Sequence, residues 1–126
     1  MTDNQTNKRT VLAFYEHVVK RRDFAAAARF LAPVFIQHRN DAADGAQGLQ
    51  EFVDRMRAAY PRSHYEIKRV FTDVDYVILH VHVVREPGAR GSAHVDIFRL
   101  EDGKVAEHWD VDEPIPAEIA NPHGPF

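Results

Sequence analysis

Apolar positions change their period about halfway along the chain. Over residues 8–22 they recur at Val11, Leu12, Tyr15, Val18 and Val19, the spacing of a helix with one buried stripe. Asp23 then reads as the N-cap of a short helix over 24–32, with Phe24, Ala27, Phe30 and Leu31 as its apolar set and Pro33 as its stop. A brief strand over 34–38 puts Phe35 and Gln37 on one side, Ile36 and His38 on the other. After a loop over 39–44, a third helix runs over 46–60 with the stripe Leu49, Phe52, Val53, Met56, and Pro61 closes it.

Beyond Pro61 the period becomes two. Strands are predicted over 65–71, 76–85, 92–100 and 105–111, separated by Thr72-Asp73, by the Pro- and Gly-containing loop 86–91, and by Glu101-Asp102-Gly103-Lys104. Residues 1–7 read as a frayed polar start. Residues 113–126, with four prolines, read as an irregular tail packed along the surface. The order of elements is α+β: helices covering one face of a mostly hairpin-linked antiparallel sheet, within a single domain spanning 1–126.

The last two strands each carry a histidine, an apolar residue and an aspartate: His94-Val95-Asp96 and His108-Trp109-Asp110. Alternation along a strand aims both titratable groups of each triplet the same way. A two-residue turn at Asp102-Gly103 would put Asp96 opposite Trp109, whereas a three-residue loop would put it opposite His108 and His94 opposite Asp110. The second register sorts the residues better. One face then carries His94, Asp96, Phe98, Ala106, His108 and Asp110; the other carries Val95, Ile97, Val105, Trp109 and Val111, with Arg99 and Glu107 as a diagonal charge pair. On the preceding strand His80 and His82 share a face with Tyr76 and Ile78, and Val77, Leu79, Val81 and Val83 form a purely apolar one. The expectation is that His82 joins Asp96, His108 and Asp110 on one wall of an enclosed cavity. The all-apolar face, continued by Val95, Ile97 and Trp109, would then need a second cover, and a homodimer through the sheet supplies it.

Composition narrows the possibilities. The 126 residues are 44% apolar and 28% charged, the make-up of an ordinary soluble globular protein, and the net charge of −3 favours neither nucleic acid nor an anionic membrane. No apolar run approaches the ~20 residues of a membrane span and no signal-peptide pattern opens the chain, so a cytoplasmic protein is expected. With no cysteine, disulfides and thiolate metal sites are excluded. Eight histidines are the one oddity, five of them (His38, His80, His82, His94, His108) on predicted strands. The basic run Lys20-Arg21-Arg22 closes the first helix, where it complements the helix dipole.

Several of these segments resemble a known family. Phe35-Ile36-Gln37-His38, Asp44-Gly45, Gly48-Leu49, and above all the stretch from His94 to Val111 are similar to SnoaL-like polyketide cyclases. The closing Asn121-Pro122-His123-Gly124-Pro125-Phe126 resembles the tail of a bacterial subgroup described as predicted aldol-condensation enzymes. Arg39-Asn40 departs from the Asn-Pro usual in that subgroup. The resemblance implies the nuclear transport factor 2-like fold, a cone-shaped curved antiparallel sheet wrapped by three helices around a pocket, and a homodimer. It also implies acid/base chemistry without metal or cofactor, with Asp96 as the catalytic residue. His82 and His38 would line the pocket and polarise a carbonyl oxygen; His108 and Asp110 stand where relatives carry pocket polar groups.

The functional expectation is therefore a cofactor-free lyase or isomerase acting on a small, apolar, polyketide-like carbonyl compound. Asp96, His82 and His108 would be catalytic, and His38, His94, Asp110, Phe98 and Phe52 would contact the substrate. One alternative is a non-catalytic small-molecule binding protein of the same fold. The other is a metal enzyme using His80 and His82 with His94, Asp96 and His108, a donor set suited to Zn, Fe or Mn. His-x-His alone is a weak signal for it, and no metal site is assigned.

Overall fold

The computed structural model describes residues 3–126. Helix α1 (Asn4–Tyr15) continues into a π-helical turn (Glu16–Lys20), followed by α2 (Phe24–Ala28), strand β1 (Leu31–Gln37) and α3 (Gly45–Ala59). Four strands complete the chain: β2 (His64–Asp73), β3 (Tyr76–Val84), β4 (Ser92–Glu101) and β5 (Lys104–Pro114). They form one sheet in the order β1-β5-β4-β3-β2, antiparallel except that β1 joins β5 in parallel.

Element ends differ from the periodicity where side chains or pairing override it. The first helix starts four residues early because the Asp3 carboxylate accepts the Thr6 backbone N–H at 2.7 Å, capping it. Asn7, expected to be frayed, is buried and donates to the Val74 carbonyl; Met1 and Thr2 lie outside the described residues. Asp23 does cap α2, accepting from the Ala26 N–H. That helix stops at Ala28, however, because Leu31 already pairs with Val105. Pro33 therefore sits inside a strand, which is tolerated because β1 is an edge whose register is irregular between Leu31 and Ile36. At the other end β5 runs on to Pro114, paired with Ser92, so the irregular tail starts two residues later than expected.

The last hairpin follows neither simple register. Asp102 and Gly103 both have positive φ (50° and 76°), the signature of a tight two-residue turn that pairs Glu101 with Lys104 and Leu100 with Val105. A bulge then leaves Ala106 extra, so Arg99 faces Glu107, Phe98 faces His108 and Asp96 faces Asp110. The bulge shifts the pairing by one residue. That keeps His94, Asp96, Phe98, His108 and Asp110 on one face, as the sorting argument required, and moves Val105 onto that face beside Leu100, where it is buried.

The helices cover this face. Val77, Leu79, Val81 and Val83 pair with Phe98, Asp96, His94 and Ser92, so the all-apolar side of β3 lies inward, in one core with Val11 and Phe14 of α1 and Val53 of α3. This reverses the expected arrangement. His80 and His82 sit opposite Val95 and Ala93 on the outer face, and the valines do not continue into Val95, Ile97 and Trp109.

Candidate functional site

The sheet and helices leave a hollow with ≈ 610 Å³ of empty space, its mouth included. Phe14, Val18, Leu49 and Phe52 supply apolar wall from the helices, and β4 and β5 supply the polar groups His94, Asp96, His108 and Asp110. Asp96 projects from β4 into this hollow at 4% exposure. Its Oδ2 accepts the Tyr15 hydroxyl at 3.0 Å, and its Oδ1 lies 2.8 Å from His108 Nε2. Burial, then the neighbouring Asp96 charge, hold the Tyr15 phenol well above its ordinary pKa, so it stays a donor.

Hydrogen bonding orients His108. Its Nδ1 lies 2.8 Å from Gln37 Oε1, and the same oxygen accepts the Arg39 backbone N–H at 3.0 Å. An atom that accepts a main-chain N–H is the amide oxygen, so His108 Nδ1 carries a proton and donates. One further proton then lies between His108 Nε2 and Asp96 Oδ1, a dyad built across β4 and β5. Phe98 packs its ring 4.7 Å from the imidazole. Beside the dyad, Asp110 Oδ2 accepts from the Arg39 guanidinium at 2.6 Å, and that guanidinium lies over the Phe52 ring. His94 completes this wall, buried, with Nε2 3.8 Å from the Asp112 carboxylate. Burial lowers its pKa, against the opposing pull of Asp96, Asp112 and Asp110.

Of the sequence-predicted residues, Asp96, His108, His94, Asp110, Phe98 and Phe52 line one hollow. His82 and His38 do not. His82 is on the outer face, its Nε2 donating to the Arg90 carbonyl at 2.7 Å and its ring against Phe126. His38 stacks on Trp109 at 4.8 Å and pairs with Glu107 at 2.7 Å, also outside, because a strand that turns Gln37 inward turns His38 outward. The His80/His82 metal set therefore cannot assemble with His94, Asp96 and His108. Asp96, His108 and Asp110 do bring three donor atoms within 4.8 Å of one another. Each of the three already has a protein partner: Asp96 has Tyr15 and His108, and Asp110 has Arg39.

Five polar cavity residues escaped sequence reasoning: Tyr15, Gln37, Arg39, Arg22 and Arg85. Gln37 had a signal, since it shares its strand side with buried Phe35. Tyr15 read as one more apolar stripe position.

The SnoaL-like domain matches residues 11–108. The chain belongs to the SnoaL-like domain family. No curated protein is significantly similar in sequence. Solved structures resemble this SnoaL-like chain throughout. A proposed polyketide cyclase from Acidithiobacillus ferrooxidans superposes with TM-score 0.74 at 18% identity over 90% of this chain and 92% of its own. TsrD from Streptomyces laurentii gives 0.74 at 16%, over the same shares of each chain. An NTF2-like protein of unknown function from Cytophaga hutchinsonii gives 0.71 at 19%, over 90% of this chain and 96% of its own. At such identities the likeness carries the fold, which is NTF2-like, and leaves the reaction to be argued from the site.

Proposed function

We propose that this SnoaL-like protein is a cofactor-free lyase or isomerase that removes a proton from carbon beside a carbonyl, with Asp96 as the base. The supporting observation is the buried Asp96 carboxylate in the cavity wall, held between a phenol and an imidazole. A substrate carbon placed at Asp96 gives its proton to the carboxylate, and the electron pair moves onto the carbonyl oxygen. Tyr15 and His108 are the donors near enough to stabilise that developing enolate, the role once expected of His82 and His38. The enolate carbon then either attacks a second carbonyl, closing a ring, or is reprotonated elsewhere.

The test needs no knowledge of the natural substrate. The protein is incubated in D2O with a panel of ketones, lactones and polyketide fragments, and α-deuteration is followed by NMR. Asp96→Asn should cut exchange by at least about 10²-fold while the fold persists, because the amide still fills the site. Exchange at the wild-type rate in that variant removes Asp96 from the mechanism.

One observation favours a second reading, a binding protein without turnover: both Asp96 oxygens and both His108 nitrogens already have protein partners. Panel members that bind but exchange no protons in the wild type would decide for it.

A homodimer remains part of the proposal, moved to the outer face of the sheet. Phe71, Tyr76, Val95 and Val111 are exposed there, beside half-buried Ile97 and Trp109.

A further inference from the structure

Among the described residues, Arg22 is the one buried cation in the cavity wall without an acidic partner. It lies just past the π-helical turn in the left-handed region (φ 51°) at 5% exposure. One terminal nitrogen donates to the Val18 carbonyl at 3.0 Å and the other to Ser63 Oγ at 2.8 Å, and its Nε is buried without a partner. Among the described residues no carboxylate pairs with it. The other acids here are taken: Asp110 by Arg39, Asp96 by Tyr15 and His108. Arg85 lines the same hollow and adds to the positive field, whereas Arg39 is paired with Asp41 and Asp110.

Completing the helix end does not explain this side chain. The end of α1 and its π turn leaves bare carbonyls; Arg22 caps Val18, and the Ser63 hydroxyl caps Val19 at 3.1 Å. Neutral donors could do both, and a helix C-terminus offers only about half a negative charge. A buried guanidinium with neutral partners is destabilising unless something anionic compensates it. Burial and the neighbouring Arg85 push its pKa down to about 10, still protonated at neutral pH. The run Lys20-Arg21-Arg22 thus splits: Arg21 pairs with Glu16 on the surface, whereas Arg22 turns inside.

We infer that the cavity takes an organic acid, its carboxylate on the Arg22 guanidinium and its apolar body along Phe14, Val18, Leu49 and Phe52. Applied to the proposed reaction, this narrows the substrate to a carbonyl compound that also carries a carboxylate; it rests on the cavity being a ligand site and not on Asp96 being the base. A carboxylate fits better than inorganic phosphate because most of the wall is hydrocarbon.

The probes are hexanoate, hexanamide and inorganic phosphate, titrated into the full chain and followed by NMR, with the Arg22 15Nε resonance as a local reporter. Hexanoate should bind at least about tenfold tighter than the isosteric amide or phosphate, and should move the Nε signal. Arg22→Met should abolish the preference for the acid, so that hexanoate binds no tighter than hexanamide. Arg22→Lys, charged but without the planar fork, should keep part of it. Equal binding of hexanoate and hexanamide to the wild type, phosphate binding as tightly as hexanoate, or an Arg22→Met protein that retains the preference overturns the inference. The Nε reporter needs no substitution, so a misfolded variant leaves the test intact. Neither readout involves turnover, so this result and the deuterium exchange of Asp96→Asn can fail independently.

Discussion

A single main-chain N–H, that of Arg39, sets the protonation pattern of the dyad. It fixes which end of the Gln37 amide is oxygen, Gln37 fixes the proton on His108 Nδ1, and Nε2 is left facing Asp96. The imidazole 15N spectrum of the wild type should therefore show Nδ1–H at every pH at which the protein is folded. Gln37→Leu leaves two partly buried donors unpaired, so it should cost about 1–3 kcal/mol in urea unfolding and release the tautomer. An unchanged His108 spectrum in that variant would contradict this chain of bonds. His94 behaves differently. Burial lowers its folded-state pKa below the ordinary 6.5, so the unfolded chain binds the extra proton first. Its contribution is complete above pH 6.5 and is lost as pH falls through the folded value. The acids held low by their partners (Asp3, Asp41, Glu66, Glu107) act only further down, below about 4.5. Tm measured just below pH 6.5 should fall in the wild type and stay flatter in His94→Gln.

One element, the β4–β5 hairpin, decides which of these residues meet, and it shows what the sequence could and could not tell. Apolar and polar sorting was enough to put His94, Asp96, His108 and Asp110 on one side, because only that sorting lets both faces be buried sensibly. The bulge at Ala106 was not legible: it spends one residue without altering the pattern on either side. Asp96 accordingly faces Asp110 and reaches His108 diagonally. The side of β3 that joins this wall was not legible either. Its alternation is clear, but which face meets Asp96 depends on the 86–91 loop, and the structure resolves it by pairing Leu79 with Asp96. Arg39 was invisible, and the strand side of Gln37 did not say what it would meet, for another reason: β1 reaches the site through a parallel pairing with β5, remote in sequence and marked by no turn. Deleting Ala106 should close the ladder without changing its pairs, so that His108 still faces Phe98 and Asp110 still faces Asp96 on the cavity side. Proton exchange should then persist. A protein lacking Ala106 that folds but loses exchange would show that the bulge itself positions the dyad.

At the scale of the whole molecule, the helices spend themselves on the inner face of the sheet, and the outer face is left with alternating apolar and charged positions. Val111 is 71% and Phe71 56% exposed, with Tyr76 and Val95 close by, while Arg99–Glu107 and His38–Glu107 pair neighbouring side chains along the same face. Exposed apolar positions grouped on one face, with charges already paired among themselves, suit a second copy of the same surface, since a two-fold contact buries each patch against itself. The expectation is a dimer by light scattering at micromolar concentration. Phe71→Glu with Val111→Glu places unpaired like charges that must be desolvated on closure, so that variant should sediment as a monomer. These positions point away from the helices, so its circular dichroism and its hexanoate binding should match the wild type. A wild-type protein that scatters as a monomer at tens of micromolar would leave the outer face without this role, and neither the cavity nor the dyad depends on it.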